Sequence, residues 1–164
     1  HAVPAAATTL CSDKKTKPIS GSWFEFQHSA AEGGYWNEAL AHFTADQWRR
    51  KVFEIREVGM EYLVLMGVAR AGKPFYPSKI APRIPMGCDD PLEAVLSAAD
   101  ECGIKFFVSN DFWGDLDAYN MMLDKGVQTV RFQAMEEIAE RYSHHACFYG
   151  WYFPNEAMLQ PYLV

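Results

Sequence analysis

The chain has 164 residues, 49% hydrophobic and 22% charged, the composition of a globular domain long enough to bury a core. Its net charge of -6 argues against a nucleic-acid binder, which needs clustered Lys and Arg, and no RNP, zinc-finger or basic-helix pattern is present. No apolar run approaches the roughly 20 residues that a membrane-spanning helix requires.

His1 rather than Met opens the chain, and residues 2–9 are small and featureless. Residues 1–17 therefore read as an N-terminal tail or the remnant of a processed leader, with a secreted or periplasmic location expected. Residues 18–164 carry the domain. The first strand is expected over 19–26 (ISGSWFEF). Thr44, with Gln47 three residues on, is a capping box that starts a helix striped by Trp48, Val52, Phe53 and Ile55 and stopped near Gly59. Residues 61–69 (EYLVLMGVA) are apolar on both alternate faces, the mark of a parallel strand covered on both sides.

Asp90, Pro91 and Glu93 supply an N-cap, a first-turn proline and a first-turn acid for the second helix. Leu92, Val95, Leu96 and Ala99 form its stripe, and Gly103 ends it. Residues 104–110 are the third strand. Residues 126–145 contain a third helix with Val130, Met135, Ile138 and Ala139 inward, and 147–153 form a fourth strand stopped by Pro154.

The order β-α-β-α-β-α-β implies right-handed crossovers and a parallel sheet, in either a doubly wound open sheet or a (β/α)8 TIM barrel. No G-x-G-x-x-G follows the first strand, which removes the dinucleotide-binding variant; a flavodoxin-like sheet stays open on periodicity alone. Helix-to-strand links are minimal, whereas strand-to-helix links are long: 27–43, 70–89 and 111–125. The elaboration falls at the C-terminal ends of the strands, where both architectures bind ligands.

Glu25 and Gln27 close the first strand, Asn110 and Asp111 the third, and Trp113 follows; each is a candidate substrate contact or a structural hydrogen-bonding group. An acid inside a strand, as at Glu25, is out of character unless it lines a polar site. Aromatics make up 15% of the chain. Tyr35, Trp36, Phe75 and Tyr76 lie in loops, as sugar platforms or as pins that hold long loops down. The four cysteines show no C-x-x-C spacing, and their even number permits disulfides without demanding them. No H-E-x-x-H or clustered His/Cys spacing calls for a metal, and no cofactor is expected. His144 and His145 end a helix, where imidazolium favours the dipole. G-x-S-x-G and P-loop motifs are absent.

The fourth strand ends Gly150-Trp151-Tyr152-Phe153-Pro154-Asn155-Glu156. A carboxylate just past a strand end, beside an amide and near Tyr152 and Phe153, has the surroundings a glycosidase acid needs: partly apolar, so that its pKa rises. Asn155 is placed to hydrogen-bond a sugar hydroxyl. The alternative is a solvated loop carboxylate after a turn.

An Asn-Glu pair closing the fourth strand resembles the retaining glycosidases built on (β/α)8 barrels. More closely, ISGSWFEF, FYPSKI at 75–80, DPLEAVLSAADECGIKFFVSNDFWGD and YGWYFPNEA resemble a bacterial domain-of-unknown-function family described as a TIM-barrel, glycosyl-hydrolase-like domain, from about Ile19 onward. The resemblance implies a (β/α)8 barrel of which this chain holds the first four βα units. It also implies a carbohydrate substrate, Glu156 as acid/base with Asn155 beside it, and a nucleophile on the seventh strand, outside this chain. A second half-barrel, in the same protein or another chain, is the expected partner. The competing functional class is a carbohydrate-binding barrel without catalysis. A second carboxylate separates the two, about 5–5.5 Å from Glu156 for retention or about 6.5–9.5 Å for inversion. Within this chain only Glu25 and Asp111 are candidates for it.

Overall fold

The computed structural model describes residues 17–27, 38–111, 113–114 and 123–153. The first strand, β1 (Gly21–Phe24), is followed by a 3-10 turn (Glu38–His42) and helix α1 (Ala45–Glu57). The capping box forms: Thr44 Oγ1 accepts from the Gln47 N–H, and Gln47 Oε1 accepts from the Thr44 N–H. Gly59, at φ +93°, ends the helix in a conformation that L side chains rarely adopt.

Strand β2 (Tyr62–Leu65) is shorter than the run 61–69 that was expected. Its last residues instead enter a small antiparallel hairpin, β3 (Ala69–Arg70) with β4 (Lys73–Pro74). The two residues between them, Ala71 and Gly72, both have positive φ, which reverses the chain in two steps. Val68 and Ala69 are equally apolar in a strand and in a hairpin, so periodicity could not reveal the break.

Helix α2 (Pro91–Cys102) starts on Asp90, whose side chain accepts from the Glu93 N–H, and stops at left-handed Gly103. Strand β5 (Lys105–Ser109), helix α3 (Lys125–Tyr142) and strand β6 (Phe148–Tyr152) complete the order. The inward face of α3 differs from the expected stripe. Arg131, Ala134, Glu137, Ile138 and Tyr142 are buried, while Val130, Met135 and Ala139 are only half-buried. Arg131 and Glu137 can turn inward because each finds partners there.

The main sheet is parallel throughout, in the order β1-β2-β5-β6, each strand beside the one before it in the sheet. A doubly wound sheet reverses its order at a switch point; this one does not. Phe24, Leu63, Leu65, Phe106 and Val108 point to one face and share a single core with Trp48 and Val52 of α1, Val95 and Leu96 of α2, and Ala134 and Ile138 of α3. The helices therefore cover one face.

The opposite face is aromatic. Trp23 of β1 and Tyr152 of β6 have ring centroids 4.9 Å apart, although two strands lie between them. In a flat sheet those strands would be about 14 Å apart, three spacings of about 4.8 Å. Side chains standing perpendicular to such a sheet would not meet, so the two rings lean together over the intervening strands, a convergence that an inward-curving sheet favours. Tyr149 likewise reaches Tyr62 at 6.2 Å and Phe107 at 5.2 Å, helped by a bulge that leaves Tyr149 as the extra residue of β6. Lys105 Nζ lies over both tyrosine rings.

This mixed α/β fold, with a sequential parallel sheet, agrees with part of a (β/α)8 barrel. Among the described residues there are four main-sheet strands and three α-helices; residues 154–164, where a fourth unit would continue, lie outside them.

Candidate functional site

The C-terminal ends of the parallel strands bring together most of the polar residues singled out above. Alternation along β1 buries Phe24 and Phe26 beneath the helices and turns Trp23 and Glu25 the other way. Phe26 is fixed edge-on against Trp48 at 5.2 Å and tilted against Phe75 at 5.5 Å. Glu25 is half-buried. Gln27 is buried, and its Oε1 accepts no hydrogen bond among the described residues.

At the end of β5 the chain is held on several sides. The Ser109 Oγ accepts from the Asp111 N–H at 3.1 Å, and the Asn110 N–H donates to the Tyr152 carbonyl at 3.1 Å. The Asp111 carbonyl accepts from the N–H groups of Val68 and Ala69. Asn110 directs Nδ2 towards Met135 Sδ on α3 at 3.6 Å, and its buried Oδ1 has no donor among the described residues. An unpaired buried carbonyl oxygen lacks the compensation that such groups normally find.

Asp111 is engaged through both carboxylate oxygens. Oδ1 accepts from the Trp113 N–H at 3.3 Å, and Oδ2 accepts from Arg131 Nη2 at 2.5 Å. Burial pushes its carboxyl above the usual range, and the Arg131 charge and the Trp113 N–H offset that only in part. Trp113 is buried, edge-on to Tyr76 at 6.5 Å, with no partner for its indole N–H among the described residues. Tyr152 is half-buried against Trp23. Trp36, Asn155 and Glu156 lie outside the described residues.

Among the loop aromatics, Phe75 and Tyr76 are buried and act as pins. Tyr76 donates to Glu137 Oε2 at 3.1 Å; the Ser78 hydroxyl donates to the same oxygen, and the Lys79 N–H donates to Oε1. Burial, and next the Glu137 charge, push the Tyr76 phenol well above its usual range. The segment after the hairpin is thus tied to α3.

Arg131 and Glu137 were not singled out from sequence. The available signal was the spacing of Arg131, Ala134, Ile138 and Tyr142, which puts them on one helical face; a stripe assigned from apolar residues alone passes over it.

Among the described residues, two groups of potential metal ligands lie elsewhere: Asp100 of α2 with His145 and Cys147 just before β6, and Glu93 with His144 and His145. Among the described residues, no helix is long and apolar enough to cross a membrane.

The fold is similar to that of a solved structure. A putative alpha-L-fucosidase from Bacteroides thetaiotaomicron VPI-5482 superposes with a TM-score of 0.61 at 13% identity, covering 94% of this chain and 46% of its own. An alpha-L-fucosidase GH29 from Bacteroides thetaiotaomicron gives a TM-score of 0.47 at 17% identity, over 81% of this chain and 38% of its own. This chain therefore spans under half the length of each. No curated protein sequence is similar enough to count as a relative. At 13% identity the first of these likenesses is one of fold, and it agrees with the partial barrel read from the strand order. The sequence itself is matched over residues 19–163, and the chain belongs to the family described as Domain of unknown function (DUF4434).

Proposed function

We propose that this chain is the first half, four βα units, of a (β/α)8 barrel that acts as a glycoside hydrolase-like carbohydrate-processing domain. In this reading the enzyme is retaining, Glu156 is its acid/base with Asn155 beside it, and the nucleophile comes from outside the chain. The observation that carries the reading is the gathering of Glu25, Gln27, Asn110, Asp111 and Tyr152 at the C-terminal ends of parallel strands, the end at which such barrels bind ligands. The likeness of fold to a putative alpha-L-fucosidase lends support and makes α-L-fucosides the first substrates to try. Secretion or a periplasmic location suits a glycan substrate.

The chemistry divides between two carboxyl groups. Glu156, protonated, gives its proton to the departing glycosidic oxygen while the second carboxylate attacks the anomeric carbon. Water then enters with Glu156 acting as base, and the two inversions return the original configuration. Asp111, held by Arg131 and the Trp113 N–H, is poorly suited to be the attacking group. Gln27, Trp36, Asn110, Trp113 and Glu25 complete the proposed binding residues.

The test is a screen of the complete protein against aryl and natural glycosides, starting with α-L-fucosides, with Glu156→Gln in parallel. General-acid assistance is typically worth about 10²–10⁴-fold, so the variant should lose about that much on unactivated substrates and less on activated aryl glycosides. Equal turnover of an unactivated substrate by both proteins removes Glu156 from the mechanism. Tight glycan binding with no turnover by either identifies a binding barrel instead.

A further inference from the structure

His145 lies between two carboxylates of α2. Its Nδ1 is 2.7 Å from Asp100 Oδ2, and its Nε2 is 3.1 Å from Glu93 Oε2. Cys147, two residues on, donates its N–H to the other oxygen of Asp100, and its Sγ lies 3.2 Å from the Leu96 carbonyl. One ligand atom each from Asp100, His145 and Cys147 falls within 4.8 Å of the others. His145 and Cys147 are buried, whereas Asp100 reaches solvent. The cluster adjoins the N-terminal end of β6, away from the strand ends that carry the candidate site.

A nitrogen, a thiolate sulfur and a carboxylate oxygen form a donor set suited to zinc, which binds such atoms at about 2.0–2.3 Å in tetrahedral geometry. Glu93 adds a feature that a chance meeting of three donors would lack. It holds the far nitrogen of His145, as outer-shell carboxylates do when they fix the tautomer and orientation of a metal-ligating imidazole.

We infer that Asp100 Oδ2, His145 Nδ1 and Cys147 Sγ form a zinc site, with Glu93 as its outer-shell partner and water as the fourth ligand. The ion enters past Asp100. On binding, the thiol proton passes to solvent, Sγ releases the Leu96 carbonyl, and Asp100 exchanges its hydrogen bond with the imidazole for a bond to the metal. The ion then links α2 to the segment that leads into β6. Its role is structural, and it is independent of the proposed glycosidase chemistry.

The test uses the complete protein. Zinc is added, loose metal is removed by gel filtration, and retained zinc is counted; separately, the metal-free protein is titrated with Co²⁺ alone. One zinc per chain is expected at this site, together with a thiolate-to-cobalt charge-transfer band in the near ultraviolet, both lost in Cys147→Ser and in His145→Gln. Glu93→Gln should keep the band while weakening zinc binding about 10–100-fold. The parent protein's cobalt spectrum depends on no variant folding, and circular dichroism checks the variants. Absence of the band in the parent, or a band and zinc content unchanged by Cys147→Ser, overturns the inference and leaves a histidine clamp between Glu93 and Asp100. Glycoside turnover need not change in any arm, so failure here is separable from failure of the glycosidase reading.

Discussion

Arg131 of α3 places its Nη2 2.5 Å from Oδ2 of Asp111, and both side chains are almost wholly withdrawn from water. The pair joins the end of β5 to the third helix. Taking two charges out of water costs several kcal/mol each, so the pair adds little net stability, but leaving one member alone is expensive. Asp111→Asn should therefore destabilise the fold by about 3–5 kcal/mol, by leaving Arg131 buried without a counter-charge. Asp111→Asn combined with Arg131→Met should recover most of the loss. Urea unfolding of the four proteins in a double-mutant cycle measures this. A single variant within 1 kcal/mol of the parent would show, by the usual scale of surface changes, that Arg131 escapes to water (about ±0.5 kcal/mol).

Glu137 is a buried acceptor for three donors: the Tyr76 and Ser78 hydroxyls and the Lys79 N–H. Glu137→Gln presents an NH₂ group where one of those donors needs an acceptor, at a cost of about 1–3 kcal/mol. The loss should be local, with amide exchange rising over residues 75–80 more than in β2 and β5. Uniform acceleration across the domain would contradict that localisation.

Ala71 sits at φ +48° in the two-residue turn between β3 and β4. Left-handed backbone costs a residue bearing a Cβ about 1–2 kcal/mol, a penalty that glycine escapes. Ala71→Gly should raise stability by somewhat less, since glycine also gives the unfolded chain more freedom. Thermal unfolding reads the result directly, and a lowered midpoint would show that unfolded-state entropy outweighs the relief of strain.

If Glu156 is the acid/base of a retaining reaction, its Gln variant should accumulate a glycosyl-enzyme on activated aryl glycosides, because it lacks the base for the second step. Azide, which needs no such base, should then restore turnover and give a glycosyl azide of retained configuration. Product analysis checks both, and an azide product of inverted configuration would point to direct displacement.

Expressed as residues 1–164 alone, the chain should self-associate. Among the described residues β1 and β6 are the outer strands of the main sheet, and Trp23, Tyr149 and Phe153 are exposed. Such edges and apolar patches favour association. Size-exclusion chromatography with light scattering decides it; a well-behaved monomer would contradict the half-barrel reading.

The helix ends were legible in the amino-acid order. Thr44 with Gln47, Asp90 with Pro91, and Gly59 and Gly103 mark helix ends through bonds and backbone conformations that involve only a few neighbouring residues. The strand-helix alternation led to a parallel sheet for the same reason: the period of apolar residues is a local property. The remaining features depend on contacts between distant parts of the chain. The hairpin at 69–74 depends on Val68 and Ala69 finding the Asp111 carbonyl, 43 and 42 positions further along. The inward turn of Arg131 depends on Asp111, 20 residues before it, and that of Glu137 on Tyr76, 61 residues before it. His145 and Cys147 meet Asp100 only once α2 lies beside the start of β6. A charged or metal-ligating side chain is buried only where a partner offsets its loss of water. Those partners come from distant parts of the chain, so no local pattern announces them.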